Sequence, residues 1–171
     1  MTPFRTELAG HLRSMAPPWA AVISSVDCPP ASRLESSLPG FRVVTVDGEQ
    51  CRTKTTALVE FAARLDFPPY FGHNWDAFEE CLRDLAWMPA PGYVIVVNRA
   101  ENILTESARD YSTFIDILSS AGEQWASPRS PERERSGVPF HALLVPSSRG
   151  LESRDWRVAR LDIAPPRNDD S

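Results

Sequence analysis

The residues best suited to chemistry lie in one segment, 67–82, which reads FPPYFGHNWDAFEECL. On a helix that turns about 100° per residue, His73, Asp76 and Glu80 project within an arc of roughly 80°, and Asp84 continues the row. The apolar side chains of the same helix point the other way and predict its core anchor: Trp75, Phe78, Leu82 and Leu85. The spacing therefore predicts an amphipathic helix with a negative stripe on its outer side.

Much of the net charge of the chain is concentrated in this segment. The chain has 18 Lys and Arg against 23 Asp and Glu, a formal net charge of −5. Between residues 66 and 84 there is one base, Arg83, and the acids are Asp66, Asp76, Glu79, Glu80 and Asp84. Exposed acids on a helix usually indicate only a solvated face.

The loop before this helix favours a binding surface. Tyr70 and Phe71 follow two prolines and precede Gly72, so aromatic contact area, a flexible backbone and a row of carboxylates converge at one helix start. Aromatic side chains beside complementary charge are typical anchors of protein interfaces. We therefore expect this segment to contact another protein.

Catalysis has less support. His73 with Asp76 and Glu80 could ligate a metal or form an acid and base pair, but no fourth ligand or substrate cleft is evident. The sequence contains no GxSxG, Walker A, GxGxxG or HExxH motif. His141 lies in an apolar run and is interpreted as a hydrogen-bonded core histidine, while His11 lies in the N-terminal segment. No metal or cofactor is expected.

Composition excludes several other classes of protein. An acidic pI near 5.2 argues against general binding to nucleic acid or to an acidic membrane surface. The longest apolar run, 93–97, is far shorter than the roughly 20 residues that cross a bilayer, and the N-terminus lacks a signal pattern. Cys28, Cys51 and Cys81 fit neither a disulfide framework nor a metal clamp, which favours a reducing compartment. We expect a cytoplasmic protein.

The elements that must position the acidic helix alternate in type. Strands are predicted at 41–46, 93–97 and 140–145, and helices at 53–66, from Asn74 to about Ala86, and at 105–126. Strand, helices, strand, helix, strand is the pattern of a parallel α/β sheet with right-handed crossovers. The stretch 127–137, SPRSPERERSG, has no apolar residue apart from prolines and glycine and is predicted to be a solvated loop.

The length of 171 residues predicts one domain with spare length. We divide the chain into an N-terminal extension, 1–40, a domain, 41–146, and a tail, 147–171. Within the extension, 19–25 is either an edge strand or an extended arm. In the tail, 155–163 is either a further edge strand or disordered.

Residues 70–82 carry the motif [YF]FGxNWDAxxxCL, and the match runs back through 46–52, VDGEQCR. On these residues the chain resembles the barstar-like family of ribonuclease inhibitors. Residues 1–40 and 146–171 lie outside the resemblance. It implies a three-stranded parallel sheet flanked by helices, with no enzymatic activity and no cofactor. Function would lie in plugging the active site of a ribonuclease with the second helix and the loop before it.

The resemblance also assigns expected roles to residues. Tyr70, Phe71, Gly72, His73 and Asn74 would pack on the nuclease. The acids of the helix would face its cationic site, Asp76 and Glu80 at the centre, with Glu79 and Asp84 beside them. Four positions depart from the best-known member of the family. Glu79 and Leu85 replace tryptophans, and Ser120 replaces an acid. Glu80 replaces an aspartate, which keeps the charge and extends its reach.

The expected partner is therefore a small basic ribonuclease or ribonuclease-type toxin, in an antitoxin or immunity role. Direct binding of nucleic acid or membrane is not expected, and the oligomeric state stays open. A second reading is a non-catalytic interaction module that binds a partner without nuclease activity. A third is a hydrolase or metalloprotein that uses His73.

Overall fold

The computed structural model describes the backbone of residues 3–127 and 137–163, with side chains from residue 7 onward in those ranges. Most of the predicted loop 127–137 and the last eight residues of the tail lie outside the described residues. The elements are α1 (Pro3–Arg13), β1 (Ala20–Val22), α2 (Ala31–Ser37), β2 (Arg42–Asp47), α3 (Lys54–Arg64), α4 (Trp75–Asp84), β3 (Tyr93–Asn98), α5 (Ala108–Ala126), β4 (Phe140–Val145) and β5 (Ala159–Arg160). None of the described helices combines the length and apolar character that a membrane crossing requires.

The sheet is parallel throughout, with the strand order β2-β3-β4-β1-β5. The parallel α/β class is confirmed, but the expectation of three strands is wrong, because the sheet has five. The extension supplies β1, where Ala21 pairs with Leu143 of β4, and the tail supplies β5, where Arg160 pairs with Val22. These two strands cover an edge of β4 that a three-stranded sheet would leave open.

The three strands predicted from β-branched and apolar runs are confirmed at β2, β3 and β4. Their register places Val46 beside Val97, and Val97 beside Leu144. Residues 93–97 are all buried, because helices cover both faces of the sheet at this strand.

Alternate residues of each strand point to opposite faces, which we call the front and the back. On the front, Ile95 and Val97 belong to a large cluster with residues of α3, α4 and α5. On the back, Val94 and Val96 belong to a smaller cluster with residues of α1 and α2. The N-terminal extension therefore supplies the two helices that pack on the back of the sheet, while the division of the chain at residues 41 and 146 stays a prediction.

Local capping explains where the three front helices begin. The side chains of Thr53, Asn74 and Ser107 each accept a hydrogen bond from the backbone N–H three residues later. Helix α4 ends at Leu85, which adopts a left-handed conformation with φ of 45° and is 1% exposed. All three predicted helices are confirmed, each slightly shorter than its sequence range.

The tail packs against the front cluster after β4. Trp156 is 7% exposed, and its carbonyl oxygen accepts a hydrogen bond of 2.7 Å from the hydroxyl of Tyr111 in α5. The guanidinium of Arg154 lies over the Tyr111 ring, 3.8 Å from its centroid. The described part of the tail is thus fixed to α5.

Candidate functional site

The loop before α4 is anchored by an inward-facing aromatic ring. Phe71 is 6% exposed, its ring centroid lies 5.0 Å from that of Phe67, and its N–H donates to the carbonyl oxygen of Pro68 at 2.9 Å. The expectation that Phe71 supplies exposed contact area is therefore wrong. Tyr70, by contrast, is 80% exposed, because burial of the next side chain turns its own outward.

The end of the loop is held by its own polar groups. Asn74 Oδ1 accepts a hydrogen bond of 2.8 Å from Ala77 N, and Asn74 Nδ2 donates to the carbonyl oxygen of Gly72 at 3.2 Å. His73 adopts a left-handed backbone with φ of 51°, and its ring lies 4.7 Å from that of Phe71. Gly72, His73 and Asn74 are all exposed, so the structure presents them beside Tyr70.

The first residue of α4 ties this helix to its neighbours. The indole N–H of Trp75 donates to Asp110 Oδ1 of α5 at 3.1 Å, and Lys54 Nζ of α3 lies 5.9 Å from the Trp75 ring centroid. Asp110 was not among the residues predicted from the sequence, where it is recognisable only as an acid in the first turn of a helix. No local signal relates it to a tryptophan 35 positions earlier.

Three carboxylates line the outer side of α4, and we call Asp76, Glu80 and Asp84 the acidic stripe. All three are exposed, and none forms an ion pair within the described part of the chain. On the opposite side of the helix, Phe78 and Leu82 are fully buried. The amphipathic geometry expected from the spacing is confirmed, and it leaves the stripe free to face a partner.

Glu79 lies outside the stripe, although the resemblance grouped it with the other acids. It is half-buried, and its Oε1 accepts a charge-assisted hydrogen bond of 2.5 Å from Arg83. Arg83 also donates to Ser120 Oγ of α5 at 3.1 Å. Two of the positions named above as departures, 79 and 120, are therefore joined by one arginine, which offsets the Glu79 charge.

The thiol of Cys81 lies buried beneath the stripe. Cys81 is 7% exposed, and its pKa is raised by burial first and then by the charges of Asp84 and Glu80. A thiol with a raised pKa holds little thiolate at neutral pH, and the thiolate is the nucleophilic form. Cys28 and Cys51 are also free thiols, and burial raises the pKa of Cys28 to about 11 and of Cys51 to about 12.

The reading that uses His73 as a ligand or base gains nothing from the geometry. Among the residues that the structure describes, no three His, Cys, Asp or Glu side chains approach one another closely enough to hold a metal ion. A cavity of about 280 Å³ opens between the starts of α3 and α5, and Lys54 and Asp110 help to line it. No residue of the acidic stripe lines this cavity.

Comparison with known families gives one match that spans the site. The model of the family described as Barstar (barnase inhibitor) matches residues 41–145. This range is more than half of the chain and contains β2 to β4, the aromatic loop and the acidic stripe. A search of curated proteins gives no match.

Solved structures resemble the chain in fold. The Aeropyrum pernix ORC2 protein in its ADPNP-ADP complexes shares 11% sequence identity with it at a TM-score of 0.50, covering 84% of this chain and 39% of ORC2. The ADP form of ORC2 shares 13% identity at a TM-score of 0.44 with the same coverage. The chain thus spans well under half of ORC2, and at this identity the likeness concerns the fold alone.

Proposed function

The chain belongs to the Barstar (barnase inhibitor) family, and we propose that it binds and blocks the active site of a small basic ribonuclease or ribonuclease-type toxin. The observation that carries the proposal is the acidic stripe: three exposed carboxylates on a helix inside the family match, none of them paired within the described residues. The protein would protect the cell that makes it, acting in the cytoplasm as an antitoxin or immunity protein, without catalysis of its own.

The chemistry of the target explains why carboxylates suit this task. A ribonuclease binds phosphodiesters, so its active site collects cationic donors that hold anions. Carboxylates one helical turn apart can occupy the positions of phosphate groups there. Opposite potentials on the two proteins also accelerate their encounter at low salt.

The loop and helix are preorganised for this contact. Phe71 fixes the loop from inside, Asn74 caps the helix, and Trp75 bonds to Asp110. A surface that is already ordered loses little conformational entropy on binding. The exposed ring of Tyr70 supplies the aromatic area that interface centres favour.

The flank of the surface adjusts the choice of partner. Arg83 offsets Glu79 and contacts Ser120, so this side of α4 presents a bridged, nearly neutral patch. A ribonuclease with strongly basic side chains facing this patch would gain little binding free energy from the contact. Together with the longer reach of Glu80, this favours a ribonuclease other than barnase itself.

The proposal is tested by comparing the wild-type chain with the Asp76→Ala/Glu80→Ala variant as bait in lysate and medium of the source organism. We expect the wild type alone to retain a small basic protein that recovers ribonuclease activity after dissociation. Removing one partner of a desolvated charge pair typically costs about 2–5 kcal/mol of binding free energy. Added RNA should compete, and association should slow as salt rises.

A matched control removes two acids elsewhere. The Glu35→Ala/Glu152→Ala variant makes the same change in net charge at two exposed positions outside the front helices, and it should retain the nuclease like the wild type. A partner that lacks nuclease activity and is held equally by all three proteins would contradict the proposal. It would favour the second reading, an interaction module with another target.

A further inference from the structure

The tail and the end of β1 border a cavity of about 390 Å³, a volume within the range of small-molecule sites. Three arginines of the tail lie in its lining, Arg154, Arg157 and Arg160, together with the apolar side chains of Leu151 and Val158. The described residues that line it include none from α4 or from the loop before α4. The cavity is therefore separate from the surface that we assign to the ribonuclease.

Arg154 brings a positive charge into this lining without a carboxylate beside it. Its guanidinium is stacked on the Tyr111 ring, and its Nη1 donates to the carbonyl oxygen of Ile103 at 2.6 Å. Within the described ranges it forms no ion pair, although the residue is half-buried and burial lowers its pKa. A charge that is partly removed from water is costly without a counter-charge. The bond to Ile103 uses one of the five N–H donors of a guanidinium, so others can bind an anion.

The guanidinium of Arg157 reaches α5 one residue further along the helix. Its Nη1 donates to Ser112 Oγ at 2.8 Å, next to the Tyr111 ring that Arg154 covers. Arg157 likewise has no ion pair among the residues that the structure describes. Its backbone is left-handed, with φ of 56°, a conformation that non-glycine residues rarely adopt outside functional or tightly held positions. Two guanidiniums thus converge on neighbouring residues of α5.

The other charges in the lining have partners of their own. Arg160 lies between Glu152, at 3.7 Å, and Asp162, at 3.0 Å. Asp155 Oδ1 accepts a hydrogen bond of 3.1 Å from the backbone N–H of Arg157. Three arginines stand against two acids in the lining, so the cavity carries an excess of positive charge. This excess favours an anionic ligand.

We propose that this cavity binds a small organic phosphate monoester. Its phosphate accepts hydrogen bonds from Arg154 and Arg157, because the planar guanidinium fork matches phosphate oxygens. Its apolar part packs on Leu151 and Val158, which are half-buried. A phosphate monoester has three acceptor oxygens and about −1.5 to −2 charges at pH 7, so it can satisfy two guanidiniums at once. A carboxylate has two oxygens and one charge, and it suits the pair less well.

Titration of the full chain with phenyl phosphate, followed by calorimetry and NMR, tests the site. We expect saturable binding of one molecule, with shifts of the Leu151 and Val158 methyl signals and none at Val59, an exposed valine of α3. Inorganic phosphate lacks the apolar part and should bind about tenfold more weakly, as should benzoate, which lacks the phosphate. Absence of saturable phenyl phosphate binding would overturn the proposal. So would benzoate or inorganic phosphate binding as tightly as phenyl phosphate.

Variants separate the site from the general charge of the chain. Arg157→Gln should weaken phenyl phosphate binding about tenfold or more, since hydrogen bonds to charged groups are strong, and an exposed side chain is replaced without harm to folding. Arg154→Lys keeps the charge but loses the fork, and it should weaken binding in the same direction. Arg33→Gln is the matched control, because Arg33 is exposed on α2 at the back of the sheet. It should bind like the wild type, and a loss equal to that of Arg157→Gln would contradict the proposal.

Discussion

The front and back of the sheet are built differently. On the front, three helices meet through aromatic rings: Phe61 of α3 lies 5.3 Å from Phe78 of α4 and 5.4 Å from Phe114 of α5, measured between centroids. On the back, two helices of 11 and 7 residues cover the sheet mainly with aliphatic side chains, and the ring of His11 lies 4.6 Å from that of His141. The front thus provides a rigid base for the acidic stripe, while the back mainly protects the sheet from water.

This difference separates binding from stability. The acidic stripe is exposed and contributes little to packing, so its removal should change affinity and leave folding intact. The back cluster is buried and remote from the stripe, so its disruption should lower stability and leave affinity intact. The following changes test that separation, beginning with the largest expected effect.

Truncation of Leu12 tests the back directly. This side chain of α1 is fully buried, and Leu→Ala changes at such positions cost about 2–5 kcal/mol of unfolding free energy through lost burial and a residual cavity. Urea denaturation of Leu12→Ala should show this loss, with ribonuclease affinity of the folded protein unchanged. Val59→Ala serves as the control, since Val59 is 53% exposed and its truncation should cost less than about 0.5 kcal/mol. A Leu12→Ala protein that keeps its stability but binds the ribonuclease weakly would contradict the separation of binding from stability.

The cap of α4 is where binding and stability should overlap. Asn74→Ala removes the hydrogen bond to Ala77 N, which typically costs about 1 kcal/mol, and it also loosens the start of the acidic helix. We expect lower unfolding free energy in urea and weaker ribonuclease binding by titration. Thr53→Ala removes the matching cap of α3 and should lower stability alone. Asn74→Asp retains a capping oxygen, so a stability loss as large as that of Asn74→Ala would exclude capping as the cause.

An ion pair at the ends of β2 and β3 should have the smallest effect. The Arg99 guanidinium holds the pKa of Asp47 below its ordinary value, mainly through a hydrogen bond. A carboxyl whose pKa is lowered by folding stabilises the protein above its unfolded pKa of about 3.9 and loses this contribution as pH falls through the folded value. Because the pair is partly exposed, Asp47→Asn should cost at most about 1 kcal/mol at pH 7.

Unfolding in urea at pH 7 and at pH 2 measures this contribution. The difference between Asp47→Asn and the wild type should be smaller at the lower pH, because protonation of Asp47 removes the charge that Arg99 stabilises. Arg99→Gln should reproduce the loss at pH 7. A difference that persists unchanged at pH 2 would point to packing, since Asn retains an oxygen for the bond to Glu49 N.

Much of the front could be predicted from the sequence because its signals are local. Helical spacing alone placed Asp76 and Glu80 opposite Phe78, and a capping residue at 74 indicated where the helix begins. Runs of β-branched or apolar residues predicted three of the five strands. In each case the deciding residues are close together along the chain, so periodicity and capping chemistry were sufficient.

Tertiary structure alone decided the features that depend on distant residues. Strand β1 has only three residues, and it forms a strand because it pairs with β4, with Ala21 opposite Leu143. The neighbouring aromatic residues 70 and 71 look alike in sequence. Only Phe71 is buried, because its ring packs against that of Phe67.

The acidic stripe and the contact between His11 and His141 show the same division. The sequence determined the stripe, since its residues share one helix and their projection follows from helix geometry. It could not determine the contact between His11 and His141 or the bond from Trp75 to Asp110, which join residues 130 and 35 positions apart. Such contacts form only when the sheet brings remote elements together, because burial and packing select partners by their position in space.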